Sequence, residues 1–140
     1  MKFKGKSKFE IRLGKELTKM KVKFSYESEK WKYKIKPYNA TCSACGSGEV
    51  YETRIYTPDF FLPSGVVVEA KGNFTPKMRT KIKAIIKSNP SKDLRIVFMQ
   101  DNFLTKTRKK RYSDWCVQQG IKYAVGSIPK EWNNVRNNCI

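Results

Sequence analysis

The sequence predicts one α/β domain with a mixed central β-sheet flanked by helices. Two observations predict it. Apolar spacing switches between the helical and the alternating period along the chain, and a β-branched run, a capped helix and a second buried run follow in the order of a parallel crossover. The length sets the count: 140 residues with 39% apolar content support a single core and are too few for two ordinary ones.

Ser7-Lys8-Phe9-Glu10 has the form of a capping box, and Phe9, Leu13, Leu17 and Met20 follow at near-helical spacing, which predicts a helix over about 7 to 20. Gly14 weakens it slightly. Val22, Phe24 and Tyr26 alternate with Lys23 and Ser25, and Trp31, Tyr33 and Ile35 alternate with lysines, so two strands with one solvated face each are expected. Residues 37–52 are polar, glycine-containing and aperiodic, an excursion from the core that carries Cys42 and Cys45. Ile55 to Leu62 is apolar and β-prone, Pro63-Ser64-Gly65 is a turn and Val66 to Ala70 is β-branched, which together predict a hairpin. Thr75 as N-cap and Pro76 at the first helical position open a helix whose buried stripe is Met78, Ile82, Ile85 and Ile86, ending at Asn89-Pro90. Leu94 to Met99 is a buried strand, Thr105 to Arg111 a basic loop, Ser113 to Gln119 a short helix stopped by Gly120, and Ile128 to Val135 a last helical turn. The path from the Val66 strand through the Thr75 helix to the Leu94 strand is a right-handed crossover that makes those strands parallel. One domain over 1–140 without internal repeats is therefore expected.

Lys and Arg number 30 against 12 Asp and Glu, a net charge of +18. A folded domain this basic implies a polyanionic partner, and nucleic acid fits because each neutralised phosphate releases counterions. Ribosomal and histone-like proteins share the composition, so charge alone does not imply catalysis. Met1 to Lys8 is basic but leads into no apolar run, so neither a signal peptide nor a membrane span is expected, and the chain reads as intracellular.

The constellation with chemical content is Pro58-Asp59, nine intervening residues, then Glu69-Ala70-Lys71. On a strand Glu69 and Lys71 share a face, and the hairpin turn returns Asp59 beside them. Two converging carboxylates suit Mg²⁺, a hard cation that takes oxygen ligands and keeps several waters. Lys71 next to such an ion could orient or deprotonate an attacking water and stabilise charge developing on a pentavalent phosphate. The same three residues taken singly are ordinary: Glu and Lys two apart on a strand form exposed ion pairs, and Asp after Pro is common in turns.

The spacing resembles the PD-(D/E)xK nuclease superfamily. Tyr56-Thr57-Pro58-Asp59-Phe60-Phe61-Leu62-Pro63-Ser64-Gly65, followed by Val68-Glu69-Ala70-Lys71-Gly72, more closely resembles the endonuclease I family of short-tailed phages, which are Holliday-junction resolvases. The likeness runs from the Phe9 helix to Ile128-Pro129-Lys130-Glu131-Trp132. It implies a restriction-endonuclease-like core and Mg²⁺-dependent hydrolysis of branched DNA, with Mn²⁺ able to substitute. It also implies metal ligation by Asp59, Glu69 and the backbone carbonyl of Ala70, with Glu10 joining the site from the first helix. A homodimer with an exchanged N-terminal segment follows from the same likeness, so that Glu10 of one chain would complete the site of the other, in the host cytoplasm if phage-encoded. This chain departs from the pattern twice. Ser25 stands where the family carries a further acidic residue, and residues from about 39 to 53 form an insertion bearing Cys42-Ser43-Ala44-Cys45-Gly46. Glu10 also has a purely structural role open to it, as the capping-box partner of Ser7.

Cys42 and Cys45 are half of a structural zinc site, two thiolates on a tight turn. No His is present, so the remaining ligands would be Cys116 and Cys139 or the same pair from a second subunit; two reduced thiols or a redox pair are the alternatives. Cys116 lies in an apolar helical stretch and reads as a core residue. For phosphate contacts the candidates are Lys106, Arg108, Lys109, Lys110 and Arg111, with Lys2, Lys4, Lys6 and Lys8 as a second strip, although such runs are often only solvated loops or localisation signals. Trp31, Trp115 and Trp132 read as core anchors. Three functions thus compete: a branch-selective, metal-dependent DNA endonuclease; a restriction-like or transposon-type nuclease cutting plain duplexes; and a non-catalytic, zinc-bearing nucleic-acid binding module.

Overall fold

The computed structural model of the chain describes residues 5–36 and 51–133. Helix α1 (Lys8–Lys19) starts where Ser7 Oγ accepts the Glu10 amide at 3.1 Å. It is followed by β1 (Ser25–Tyr26), β2 (Trp31–Ile35), β3 (Glu52–Tyr56), β4 (Phe60–Phe61) and β5 (Val66–Lys71). Helix α2 (Pro76–Ser88), capped by Thr75, leads to β6 (Asp93–Phe98), α3 (Tyr112–Gln119), β7 (Tyr123–Val125) and a 3-10 turn at Lys130–Asn133.

Five strands form a mixed sheet in the order β1-β4-β5-β6-β7, with β1, β4 and β5 antiparallel to their neighbours and β5, β6 and β7 parallel. The β5-α2-β6 connection makes the expected parallel pair, with Lys71 opposite Phe98 at its carboxyl end. Alternation along β5 splits the core into two layers. Val66 and Val68 pack with Phe9, Leu13 and Leu17 of α1 and with Trp132, whereas Val67 shares a cluster with Ile82 and Ile85 of α2 and Trp115 and Cys116 of α3. Glu69 and Lys71 therefore project toward the α2 and α3 side.

One expectation is corrected. The single strand expected over Ile55 to Leu62 is two strands, because Pro58, which has no amide to give a ladder, interrupts it. The first part, β3, pairs with β2 in a separate two-stranded sheet, and only β4 joins β5. The break is what turns Asp59 out of strand register. The edge strand β7 had no sequence signal, since its three residues are exposed, half-buried and exposed, with no apolar alternation. Glu52 and Thr53, counted with the insertion, are the first residues of β3 and face Ile35 and Lys34 of β2. Cys42 and Cys45 lie outside the described residues, as do Lys2, Lys4 and Cys139.

Candidate active site

Each acidic side chain of the site comes from a different element. Asp59, 8% exposed, sits in the break between β3 and β4, and its Oδ2 accepts the Ala70 amide at 2.8 Å. Ala70 thus contributes its N–H to the site's construction. Glu69 on β5 is 5% exposed; its Oε2 pairs with Lys71 Nζ at 2.8 Å, and its Oε1 accepts the hydroxyl of buried Tyr56 from β3. Glu10 reaches in from α1, with Oε1 accepting the Tyr26 hydroxyl at 2.6 Å. Ser7 thus makes its half of the box while the Glu10 carboxylate is used in the site. In this single chain Glu10 converges on Asp59 of the same chain.

Sequence reasoning missed Glu27. It follows β1 in the left-handed region, with φ of 50°, and its amide donates to the Asp59 carbonyl at 2.9 Å. Carboxylate oxygens of Glu10, Glu27 and Asp59 all lie within 4.8 Å of one another. Ser25, at the position where an acid was expected, instead bonds Ser28 through its hydroxyl at 2.7 Å. Tyr56 was also missed, because only the β2-β3 hairpin brings it to Glu69.

Burial first, and then the neighbouring charges of Glu69 and Glu10, raise the Asp59 carboxyl to about 9 against the opposing hydrogen bond from Ala70. Burial and the adjacent Glu69 hold Tyr56 well above the usual phenol range, so it remains a hydrogen-bond donor. Repulsion among carboxylates crowded in this way is what a divalent cation relieves, so the donor set fits a hard, oxygen-liganded ion. The raised Asp59 carboxyl has a measurable consequence. Between its ordinary value of 3.8 and about 9 the folded state keeps a proton that the unfolded state has lost, so stability falls as pH rises through that window. In EDTA, the melting temperature of the wild type should fall more steeply than that of Asp59→Asn from about pH 5 to about pH 9. Equal slopes in calorimetry would remove Asp59 as the cause.

The basic residues separate into engaged and free groups. Lys6 pairs with Glu27 at 3.1 Å, and Lys8 is exposed. Lys106, Arg108, Lys109, Lys110 and Arg111 are all exposed on the loop between β6 and α3, which is closed by the Leu104 amide on the Lys110 carbonyl at 2.7 Å. Arg111 stabilises that loop, donating to the Asp101 carbonyl at 2.7 Å and stacking 4.1 Å from the Phe103 ring centre. Tyr112 follows directly, and its hydroxyl binds Asn73 and the Phe74 amide just past Lys71, which ties the base of the loop to the carboxyl end of β5. Cys116 is fully buried, and burial pushes its thiol up to about 12, in keeping with a small core residue. Trp31, Trp115 and Trp132 are buried core residues, as expected.

A restriction-endonuclease-like α/β core carrying converging carboxylates and a lysine at one end of its parallel strands defines the nuclease class. Phage endonuclease I is the family that matches, over residues 3–140, and the chain belongs to it. It is 36% identical to Endonuclease I of Escherichia phage T7 across 91% of this chain and 76% of that protein. To Endodeoxyribonuclease 1 of Enterobacteria phage T3 it is 31% identical, across 89% of this chain and 73% of that protein. The chain is accordingly an endonuclease. No helix among the described residues is long and apolar enough to cross a membrane.

Proposed function

We propose that the chain is a structure-selective endodeoxyribonuclease that resolves four-way and other branched DNA by Mg²⁺-dependent phosphodiester hydrolysis, Mn²⁺ being able to substitute. The observation that carries this reading is the convergence of Glu10 and Glu27 on Asp59, with the Glu69–Lys71 ion pair on β5 as the neighbouring charge. Asp59, Glu10 and Glu27 would hold the ion, together with Glu69 and the Ala70 carbonyl. When bound, a divalent cation supplies Lewis acidity at the phosphoryl oxygen and makes water nucleophilic near neutral pH. Glu69 keeps the Lys71 ammonium at the site, where its charge offsets that of the scissile phosphate. Asp59, braced by the Ala70 amide, keeps its carboxylate on the side of Glu10 and Glu27.

Lys106, Arg108, Lys109 and Lys110 would grip backbone phosphates beside the site, positioning the DNA without reading its sequence, which suits recognition of junction shape. A homodimer with two such sites would cut opposing strands of a junction. Glu10 could then act within its own chain or across an exchanged helix. Zinc at Cys42 and Cys45 would need a second cysteine pair from a partner chain, because Cys116 is committed to the core.

The test is incubation of the protein with a four-way junction and a matched linear duplex, in Mg²⁺ or in EDTA. Junction cleavage lost in EDTA is the expected result. Equal cleavage of the duplex would reject branch selectivity, and binding without cutting would reject the hydrolytic reading.

A further inference from the structure

We infer that Tyr56 is a positioning residue for Glu69, and that its hydroxyl sets the orientation in which that carboxylate meets the metal; the inference rests on the metal-nuclease function proposed above. Glu69 is a buried carboxylate on a three-bond side chain. Lys71 neutralises one of its oxygens at 2.8 Å, but a single flexible lysine leaves the carboxylate free to turn about that contact. The Tyr56 hydroxyl donates to the other oxygen from a separate piece of structure, the β2-β3 hairpin. Two donors on two oxygens fix the carboxylate plane. About two of its roughly four acceptor positions then remain for a cation.

Tyr56 is itself held rigidly. It is 5% exposed, its ring meets Trp31 edge-on at 5.9 Å between ring centres, and Lys81 Nζ lies 5.6 Å above the ring. It is also the single buried position of β3, whose other four residues are exposed. The hairpin therefore contributes to the central sheet's chemistry through this one side chain. Groups that hydrogen-bond a metal ligand from behind typically change metal affinity or activity by about 10–100-fold when removed.

Tyr56→Phe keeps the ring and its packing and deletes only the donor. Cleavage should then need about 10–100-fold more Mg²⁺ for half-maximal rate, with the rate at saturating Mg²⁺ recovering to within about threefold of wild type. Mn²⁺ affinity measured by calorimetry on the DNA-free protein should weaken to the same extent. Tyr33→Phe, which alters a buried tyrosine in the same core cluster, should leave Mg²⁺ dependence unchanged. An unchanged Mg²⁺ dependence in Tyr56→Phe overturns the inference. So does a loss that no Mg²⁺ concentration repairs, or a variant that fails to fold, since either makes the hydroxyl a stability element. If the wild type itself cuts no DNA, the proposed function fails; if the wild type cuts normally and Tyr56→Phe matches it, only the role of Tyr56 fails.

Discussion

Asp59→Asn lowers junction cleavage by about 10³-fold or more while leaving junction binding within about threefold of wild type. The two quantities separate because Asp59 is 8% exposed and turned toward the other carboxylates, which leaves little of it for contact with DNA. The substitution is close to isosteric, and the new carbonyl oxygen can still accept the Ala70 amide that Asp59 accepts at 2.8 Å. At about pH 8 the folded, metal-free wild type must hold a proton on Asp59 that the unfolded chain has lost, a cost the amide does not carry, so the metal-free variant should be at least as stable as wild type. Lost activity with retained or higher stability identifies a ligand, since a damaged fold would lower both. Glu69→Gln should lose cleavage nearly as completely, but with a different stability outcome. Glutamine offers one acceptor oxygen and no charge where Glu69 offers two oxygens, one paired with Lys71 at 2.8 Å and one accepting the Tyr56 hydroxyl, so the buried lysine loses its counter-charge. Cleavage rates in Mg²⁺, binding in Ca²⁺ and thermal melts in EDTA measure these three quantities. Full cleavage by either variant would reject the site.

The parts of the fold legible in sequence are those where local signals agree. Thr75 and Pro76 cap α2, its apolar stripe has helical spacing, and the β-branched run before it and the buried run after it become the parallel pair β5 and β6. Asp59, Glu69 and Lys71 were legible for the same reason, since alternation and one turn bring them together. What was not legible depends on tertiary placement. Pro58 could be read as a motif letter, but its effect, dividing one strand between two sheets, follows from which neighbours each half finds. Glu27 enters through a left-handed residue with no glycine to announce it. Tyr56 lies thirteen positions from Glu69, and only the β2-β3 hairpin aims its hydroxyl there. Glu10 carried two readings in sequence, and the structure gives each to a different atom: its amide to the cap, its carboxylate to the site.

Lys71→Met should act in the opposite sense to Asp59→Asn on metal binding while still disabling the reaction. The Lys71 side chain is 16% exposed, and its charge is spent on a carboxylate that a cation also needs. Methionine keeps the length and the apolar stem but deletes the ammonium, so one oxygen of Glu69 is released and Mg²⁺ or Mn²⁺ affinity should stay the same or rise. The rate at saturating metal should nevertheless drop by about 10²–10³-fold, the usual loss on removing one fixed positive or hydrogen-bonding group from a developing anion. In EDTA the variant leaves Glu69 buried with its charge unpaired, held by the Tyr56 hydroxyl, and should be destabilised by roughly 3 kcal/mol, which added metal would restore. Lys71→Arg separates charge from shape: it keeps the cation but replaces a compact ammonium with a planar fork, and should recover stability more than rate. A Lys71→Met enzyme that turns over at the wild-type rate in saturating Mg²⁺ would show that this lysine only balances Glu69, and that the charge on the phosphate is met elsewhere.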